Sequence, residues 1–162
     1  MTTLTEIAPD FVAMAHRIVW ATAATVDPQG RPWTRILHPI WQWDGERLVG
    51  WVATDPTGRK RTHLAANPQV ALTYWEPGHD TANAYCHAEL LTDGPTRAWL
   101  WETFHTGPEP VGYDPAIIPS WRDGPASPTF GALRLEPWLL RVQPAAVLLQ
   151  GRADLLRSWR AA

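Results

Sequence analysis

Three features are scarce in this chain of 162 residues, and each scarcity excludes a class of protein. The single cysteine, Cys86, rules out an internal disulfide framework. No apolar run is long enough to span a bilayer or to serve as a signal peptide, which predicts no membrane partner and a cytoplasmic location. The formal net charge is only −2, which gives no overall field to attract nucleic acid, so no nucleic-acid partner is expected.

The composition is that of a globular protein with enough apolar material for one core. Hydrophobic residues make up 45% of the chain and charged residues 19%. A chain of this length suits one domain, so residues 1–162 are predicted to fold as a single unit.

Residues 48–75 carry the clearest local pattern. They predict a strand at 48–54, a capped turn at 55–58, a helix at 59–66 and a second strand at 69–75. The basic triplet Arg59-Lys60-Arg61 therefore falls in the first turn of the helix.

Basic side chains are oddly placed at a helix start, because the helix dipole is positive there and favours anions. Lys60 is the only lysine in the chain, beside thirteen arginines. A bound phosphate would resolve the conflict, since a helix start offers free backbone N–H groups and Arg and Lys add charge-assisted donors. The alternative interpretation is a solvated basic run, for nuclear targeting or non-specific nucleic-acid contact.

Shorter patterns divide the rest of the chain. Apolar spacing predicts a helix at 4–16, and runs rich in β-branched and aromatic residues predict strands at 18–26, 31–43, 81–92 and 130–143, with a last short strand at 145–150. Asp44-Gly45 is typical of a type I′ hairpin turn, and a further helix is predicted at 96–106. Residues 107–128, rich in proline and glycine, form a predicted irregular segment.

Many strands with only a few short helices indicate an antiparallel barrel with helical caps. The motif order strengthens this prediction, and its elements are Gly30-x-Pro32-x-x-Arg35, Ala53-Thr54, Arg59-Lys60, Leu64 and Asn67-Pro68-x-Val70-x-Leu72. Over roughly residues 15–105 this order resembles the pyridoxamine 5′-phosphate oxidase-like flavin-binding split barrels. The resemblance implies a mainly β (α+β) fold, an antiparallel six-stranded split β-barrel with short capping helices.

The same resemblance implies a set of contacts to FMN. Arg35 matches the arginine that reaches the phosphate, the strand from Arg35 to Ile40 matches the one that lines the ring, and Arg59-Lys60 match the dibasic phosphate contact. The full predicted set is Arg35, Ile36, Leu37, His38, Ala53, Thr54, Arg59, Lys60 and Asn83. The chain has no clear counterpart of the C-terminal substrate-binding segment of the pyridoxal-forming oxidases, which leaves the substrate open.

Three functions fit these residues. The first is an FMN-dependent oxidoreductase that passes a hydride between the flavin and an unidentified small molecule, because flavin chemistry resides in the cofactor and needs few catalytic side chains. The second is a reductase that uses the deazaflavin F420 on the same barrel. The third is a non-enzymatic flavin- or haem-binding protein. The resemblance also implies a homodimer with cofactor sites at the subunit interface, in line with the large apolar side chains on both faces of residues 31–43.

The six histidines do not form a metal-binding motif, so no metal site is predicted. His38 lies on the ring-facing strand and is a weak candidate for a catalytic residue, with a hydrogen-bonded core or interface histidine as the alternative. His63 is expected to be an exposed helix residue, and Cys86 a small buried one. Trp121, in the proline-rich segment, is a candidate lid over a ligand pocket.

Overall fold

A computed structural model describes residues 2–162 of the chain. Its helices are Leu4–Ile18 (α1), Arg59–Ala66 (α2), Gly94–His105 (α3) and Ala145–Leu149 (α4). Its strands are Ala21–Val26 (β1), Pro32–Leu37 (β2), Ile40–Trp43 (β3), Leu48–Thr54 (β4), Gln69–Trp75 (β5), Thr81–Leu91 (β6), Gly131–Gln143 (β7) and Arg157–Arg160 (β8). No helix in this part of the chain is long and apolar enough to cross a membrane.

The described strands form one antiparallel sheet in the order β2-β1-β5-β6-β7-β4-β3. Strand β7, with 13 residues, is long enough to pair with β6 along most of its length, with β4 at its start and with β8 near its end. The mainly β, antiparallel split-barrel fold is confirmed, although the described residues hold eight strands where six were expected. The sheet does not close, because its two edge strands, β2 and β3, do not pair with each other.

Helix α1 closes one side of the barrel and supplies much of the core. It starts with a capping box, in which the Thr3 side chain and the Glu6 carboxylate satisfy each other's backbone N–H groups. Its buried face packs Phe11 edge-on against Trp41 and Tyr74, with ring centroids 4.9 and 6.2 Å away. The Trp41 indole N–H donates to the Tyr74 hydroxyl at 2.8 Å, so this aromatic cluster is also bonded internally.

The two strands and the helix predicted for residues 48–75 are confirmed at the same bounds, but the turn at 55–58 supplies no side-chain cap to the helix. Residues 31–43 form two strands, because strand pairing is interrupted at His38-Pro39. Proline has no backbone N–H to donate to a neighbouring strand. The connection from β3 to β4 runs over four residues, 44–47, where a two-residue turn was expected. The Asp44 carboxylate stabilises it by accepting the backbone N–H groups of Glu46 and Arg47.

The last predicted strand was wrong, since residues 145–149 form helix α4. A short apolar run does not distinguish strand from helix by its periodicity, and here Pro144 precedes the helix start. Strand β8 was not predicted, and it forms by pairing with the end of β7. Its place in the sheet therefore depends on pairing with the strand before it, which its own four residues do not reveal.

The aromatic cluster yields a prediction for stability. Tyr74 is fully buried, so Tyr74→Phe leaves the Trp41 indole N–H without its partner inside the core. We expect the free energy of unfolding to fall by about 1–3 kcal/mol, the usual cost of an unsatisfied buried donor. Urea denaturation measures it. Tyr85→Phe, at a partly exposed position on β6, is the matched control and should stay close to the wild type.

Candidate cofactor site

Two cavities lie beside β2, and residues in or next to β4 contribute to both. The first, which we call the cationic cavity, has a volume of about 460 Å³. Its lining residues are Trp33, Thr34, Arg35, Asp55, Gly58, Arg59 and Lys60. It brings three of the predicted phosphate contacts, one from β2 and two from α2, to one place.

Among the described residues, the start of α2 has no side-chain cap and no acidic residue in its first turn. Gly58 is the N-cap residue and has no side chain to accept the first N–H groups, and the first turn holds no acidic residue. The nearby carboxylate of Asp55 is used within its own turn, where it accepts from the Thr57 backbone N–H and hydroxyl, both at 2.7 Å. The helix start therefore favours an anion from outside the chain.

Lys60 carries the clearest electrostatic signal of the cavity. Its ammonium group donates to the Thr54 hydroxyl, which joins the helix start to the end of β4. Burial, and after it the charge of the neighbouring Arg35, lower the pKa of Lys60 to about 8, although the Asp55 carboxylate partly offsets them. Two cations thus face each other in a partly desolvated place, an arrangement that an anion would stabilise.

Arg35 lacks a counter-ion in the described chain. Its Nη1 is buried without a hydrogen-bond partner, and burial lowers the pKa of its guanidinium. A buried donor on a charged group is costly when it stays unpaired. These residues fit a phosphate group, because planar guanidinium donors and a lysine are the usual phosphate ligands.

Arg59 is held by an aromatic face. Its guanidinium carbon lies 4.8 Å from the centre of the Trp33 ring, a cation–π contact. The Trp33 indole N–H donates to the Asp27 carboxylate at 3.1 Å, and Asp27 also accepts from Arg31. This chain of contacts fixes the plane on which Arg59 rests.

His63 is buried, so the expectation of an exposed residue was wrong. Only 3% of its surface is exposed, and its Nδ1 shares a hydrogen bond of 2.9 Å with the Thr25 hydroxyl. Helix α2 packs this side against β1, which the sequence of a short basic helix did not reveal.

The second cavity, which we call the apolar cavity, measures about 550 Å³. Its lining residues are Val19, Trp20, Ile36, Leu37, His38, Val52, Ala53, Pro110, Tyr113, Ile117, Ile118 and Trp121. It thus contains the predicted ring contacts of β2 and β4, together with residues of the 107–128 segment. Within this segment, two 3₁₀ turns, Pro115–Ile117 and Pro119–Trp121, form one wall of the apolar cavity.

His38 lies between aromatic rings at this cavity. Its imidazole stacks on Tyr113 with 5.1 Å between centroids, and Trp20 lies 4.9 Å away. Burial lowers the pKa of His38, and a contact with the Val111 backbone only partly offsets it. Burial also raises the pKa of Tyr113 to about 12. Both side chains are therefore uncharged near neutral pH.

Trp121 is a fixed wall of the apolar cavity. It is 5% exposed, its indole N–H donates to the Thr129 carbonyl at 2.7 Å, and its ring packs edge-on against Phe130. These contacts hold it in place, which does not match the lid expected from the sequence.

Two predicted contacts remain to be placed. Thr54 is buried at the end of β4 and reaches the cationic cavity through its bond to Lys60. Asn83 lines neither cavity. It donates to the Thr73 hydroxyl at 2.9 Å and stands in the same cross-strand row as Thr22 and Ile36.

Sequence reasoning missed several lining residues, of which Trp33 and Tyr113 bear most on the site. Trp33 could have been found, because it precedes Arg35 by two positions and so shares its face of β2. Tyr113 could not, because it belongs to an irregular segment without periodicity. Within residues 2–162, no group of three or more His, Cys, Asp or Glu side chains is arranged to hold a metal ion. Cys86 is fully buried, as expected, and burial raises the pKa of its thiol.

Comparison with known proteins places this geometry in a family. The model of the family described as pyridoxamine 5′-phosphate oxidase matches residues 7–143, which is most of the chain. Among curated protein sequences, none matches this chain.

Several solved structures share the fold. One is a protein from Clostridium acetobutylicum related to general stress protein 26 of B. subtilis, with 15% identity, a TM-score of 0.67 and coverage of 97% of this chain and 94% of that one. Another is a pyridoxamine 5′-phosphate oxidase-related, FMN-binding protein from Nostoc punctiforme. It has 17% identity and a TM-score of 0.66, and the match covers 100% of this chain and 98% of that one. A structure described as an F420 reductase has 21% identity and a TM-score of 0.55, covering 79% of this chain and 93% of that one.

The lowered pKa of Lys60 predicts a rise in stability with pH. Between about pH 8 and its ordinary pKa of 10.5, the unfolded chain keeps a proton that the folded chain has lost. The free energy of unfolding therefore increases across this window. Chemical denaturation without added phosphate should show a steeper rise for the wild type than for Lys60→Met.

The matched control is Arg59→Met, next to Lys60 in the same helix turn, which should keep the rise. Other groups titrate alike in all three proteins, so only the differences are compared. Equal slopes in the wild type and Lys60→Met would contradict the assignment.

Proposed function

Because the chain belongs to the pyridoxamine 5′-phosphate oxidase family, we propose that it is a cytoplasmic oxidoreductase that binds FMN and passes a hydride between the flavin and a small molecule. One observation carries the proposal. Strand β2 lines the cationic cavity with residues 33–35, and its last two residues, with His38 directly after them, line the apolar cavity. FMN has the same division, with a phosphate at one end and a planar ring at the other.

Arg35, Arg59 and Lys60 would hold the phosphate. A phosphate monoester carries close to two negative charges at neutral pH and has three strong acceptor oxygens. It would pair the unpartnered Arg35 donor, relieve the repulsion between Arg35 and Lys60, and complement the start of α2. The Trp33 ring keeps Arg59 on the cavity side.

The ring would lie along β2. Strand rise is about 3.3 Å per residue, so residues 35–38 extend over about 10 Å. β2 is an edge strand, paired with β1 alone among the described strands, which leaves backbone groups on its other side for a ligand. Ile36, Leu37 and Ala53 would supply apolar contact, and Thr54 a hydroxyl near the phosphate end.

The flavin would supply the hydride when bound, and the chain's side chains would do the rest. His38 is the proposed catalytic candidate. It borders the apolar cavity and its lowered pKa keeps the imidazole neutral, so it can accept a proton or a hydrogen bond from a substrate in that cavity.

A deazaflavin is the second candidate for the cofactor. The cationic cavity suits any phosphate-bearing flavin-like molecule, and an F420 reductase is among the proteins with this fold. Mass spectrometry of the molecule released on denaturation separates FMN from F420. A red protein would instead indicate haem, and with it the non-enzymatic function.

We further propose a homodimer with two cofactor sites at the interface. Large apolar side chains are exposed around the apolar cavity and on β5: Trp20 is 58% exposed, Ile36 60% and Trp75 56%. A second copy would cover them and close the cavity mouth. Asn83 stands in the same row as Ile36, so a contact from Asn83 to a flavin would be made across this interface.

The phosphate site predicts the effect of removing its charges. The double variant Arg59→Ala with Lys60→Ala should weaken FMN binding by a few kcal/mol, at roughly 1.5–3 kcal/mol for each charge-assisted bond. Titration by flavin fluorescence measures the affinity. Riboflavin, which lacks the phosphate, should bind the wild type and the double variant alike.

Arg61→Ala is the matched control, because Arg61 lies in the same helix turn but lines a different cavity. It should bind FMN like the wild type. An unchanged FMN affinity in the double variant would remove the phosphate assignment.

The dimer predicts both mass and cofactor content. Light scattering after size exclusion should give twice the chain mass of 18.2 kDa. Ile36→Lys places a charge on the exposed apolar surface and should yield a monomer with less bound flavin, because burying an unpaired charge is costly. A wild-type monomer with one flavin per chain would refute the shared site.

A further inference from the structure

The apolar cavity has the dimensions and the wall of a small-molecule site. Its volume of about 550 Å³ lies within the usual range of 300–1,000 Å³ for ligand pockets. The strand side contributes Ile36 and Leu37, and the opposite side is formed by the 107–128 segment. The substrate was left open by the sequence, so the lining of this cavity is the best guide to it.

The wall from the 107–128 segment is firmly attached. The Tyr113 backbone N–H donates to the Phe104 carbonyl at 2.9 Å, which ties the segment to α3. Gly112 passes so close to Gly107 that a Cβ there would collide with the Gly107 carbonyl oxygen. Trp121 is fixed by its bond to Thr129. The cavity therefore has a preformed shape.

No formal charge lines this cavity near neutral pH. None of its lining residues is Arg, Lys, Asp or Glu. The two titratable groups are His38 and Tyr113, and both are uncharged, as described above. A phosphate or carboxylate inside the cavity would lose its hydration without gaining a counter-ion, which is costly.

The aromatic walls favour a flat ligand. Four aromatic or imidazole rings line the cavity, namely the stacked pair of His38 and Tyr113 together with Trp20 and Trp121. Planar molecules gain dispersion and quadrupole contacts with such rings. A flavin anchored in the cationic cavity uses the cations of Arg35, Arg59 and Lys60, so none of these remains for a substrate.

We infer that the side of the apolar cavity formed by the 107–128 segment is the substrate subsite, across from the β2 side that the flavin ring would line, and that its substrate is an uncharged, planar and largely apolar molecule, not a phosphorylated one. The inference rests on the proposed flavin site, because a flavin along β2 is what would bring the substrate to a hydride. The imidazole of His38 and the hydroxyl of Tyr113 offer such a molecule one or two hydrogen bonds.

Two probes with the same ring system test the inference. Flavin-loaded protein is titrated by calorimetry with 2-naphthol and with 2-naphthyl phosphate. We expect 2-naphthol to bind at least about tenfold more tightly, which corresponds to a difference of about 1.4 kcal/mol. Equal or tighter binding of the phosphate would overturn the inference, and so would release of the flavin by 2-naphthol, because the substrate and the flavin ring would then compete for the same space.

A charge placed in the wall provides a second test. Ile117 lines the cavity and is 69% exposed, so Ile117→Arg should leave the fold intact. It should weaken 2-naphthol binding at least about fivefold and strengthen binding of 2-naphthyl phosphate. Leu148→Arg, at a position on α4 that is 63% exposed and outside the lining, should change neither.

Identical effects of Ile117→Arg and Leu148→Arg would overturn the inference. If Ile117→Arg does not fold, the comparison of the two probes on the wild type decides by itself. Titration of flavin-free protein separates this inference from the proposed function. A protein that takes up no flavin but still prefers 2-naphthol would refute the oxidoreductase and retain the neutral, planar binding site.

Discussion

The repulsion between Lys60 and Arg35 is the constraint on which the site depends. The sheet and α2 bring two cations together, and burial removes the water that would screen them. Without a bound anion, this repulsion lowers the free energy of unfolding. Burial of the aromatic and aliphatic core must offset this loss of stability. A phosphate that bound only the folded chain would add stability by mass action.

The open sheet makes this arrangement possible. In a closed barrel, the two edge strands, β2 and β3, would pair and fill the space between them with hydrogen bonds. Here β2 ends at His38-Pro39, and β3 continues on the far side of β4. The space beside β2 and β4 becomes two cavities, with α2 at one and the 107–128 segment at the other. The interruption between β2 and β3 at Pro39 thus affects both the fold, because the sheet stays open, and the site, because it leaves space for the cavities.

The residues singled out from the sequence line the cationic cavity and the strand side of the apolar cavity, whereas the wall from the 107–128 segment was missed, for a physical reason. Arg59, Lys60 and Arg35 belong to elements whose starts are marked by local signals, namely a capped turn and a strand with alternating faces. His63 and Tyr113 depend on packing between segments far apart in the chain: His63 bonds Thr25 of β1, and Tyr113 stacks on His38. Such contacts leave no pattern in either segment alone. Helix α4 was missed because its short apolar run lacks a distinguishing period.

The division of charge along β2 also determines how a bound molecule must be oriented. At the Trp33 end, cations and a helix start favour an anion, while at the His38 end neutral aromatic rings exclude one. A molecule that bound in reverse would place its phosphate among uncharged walls and its ring against unpaired cations, which loses both interactions at once. The orientation of a bound molecule is therefore determined by the interactions that the reversed orientation would lose, as well as by any single contact. The same reasoning implies that a substrate bound beside the ring must be uncharged and largely apolar, like the lining of that end.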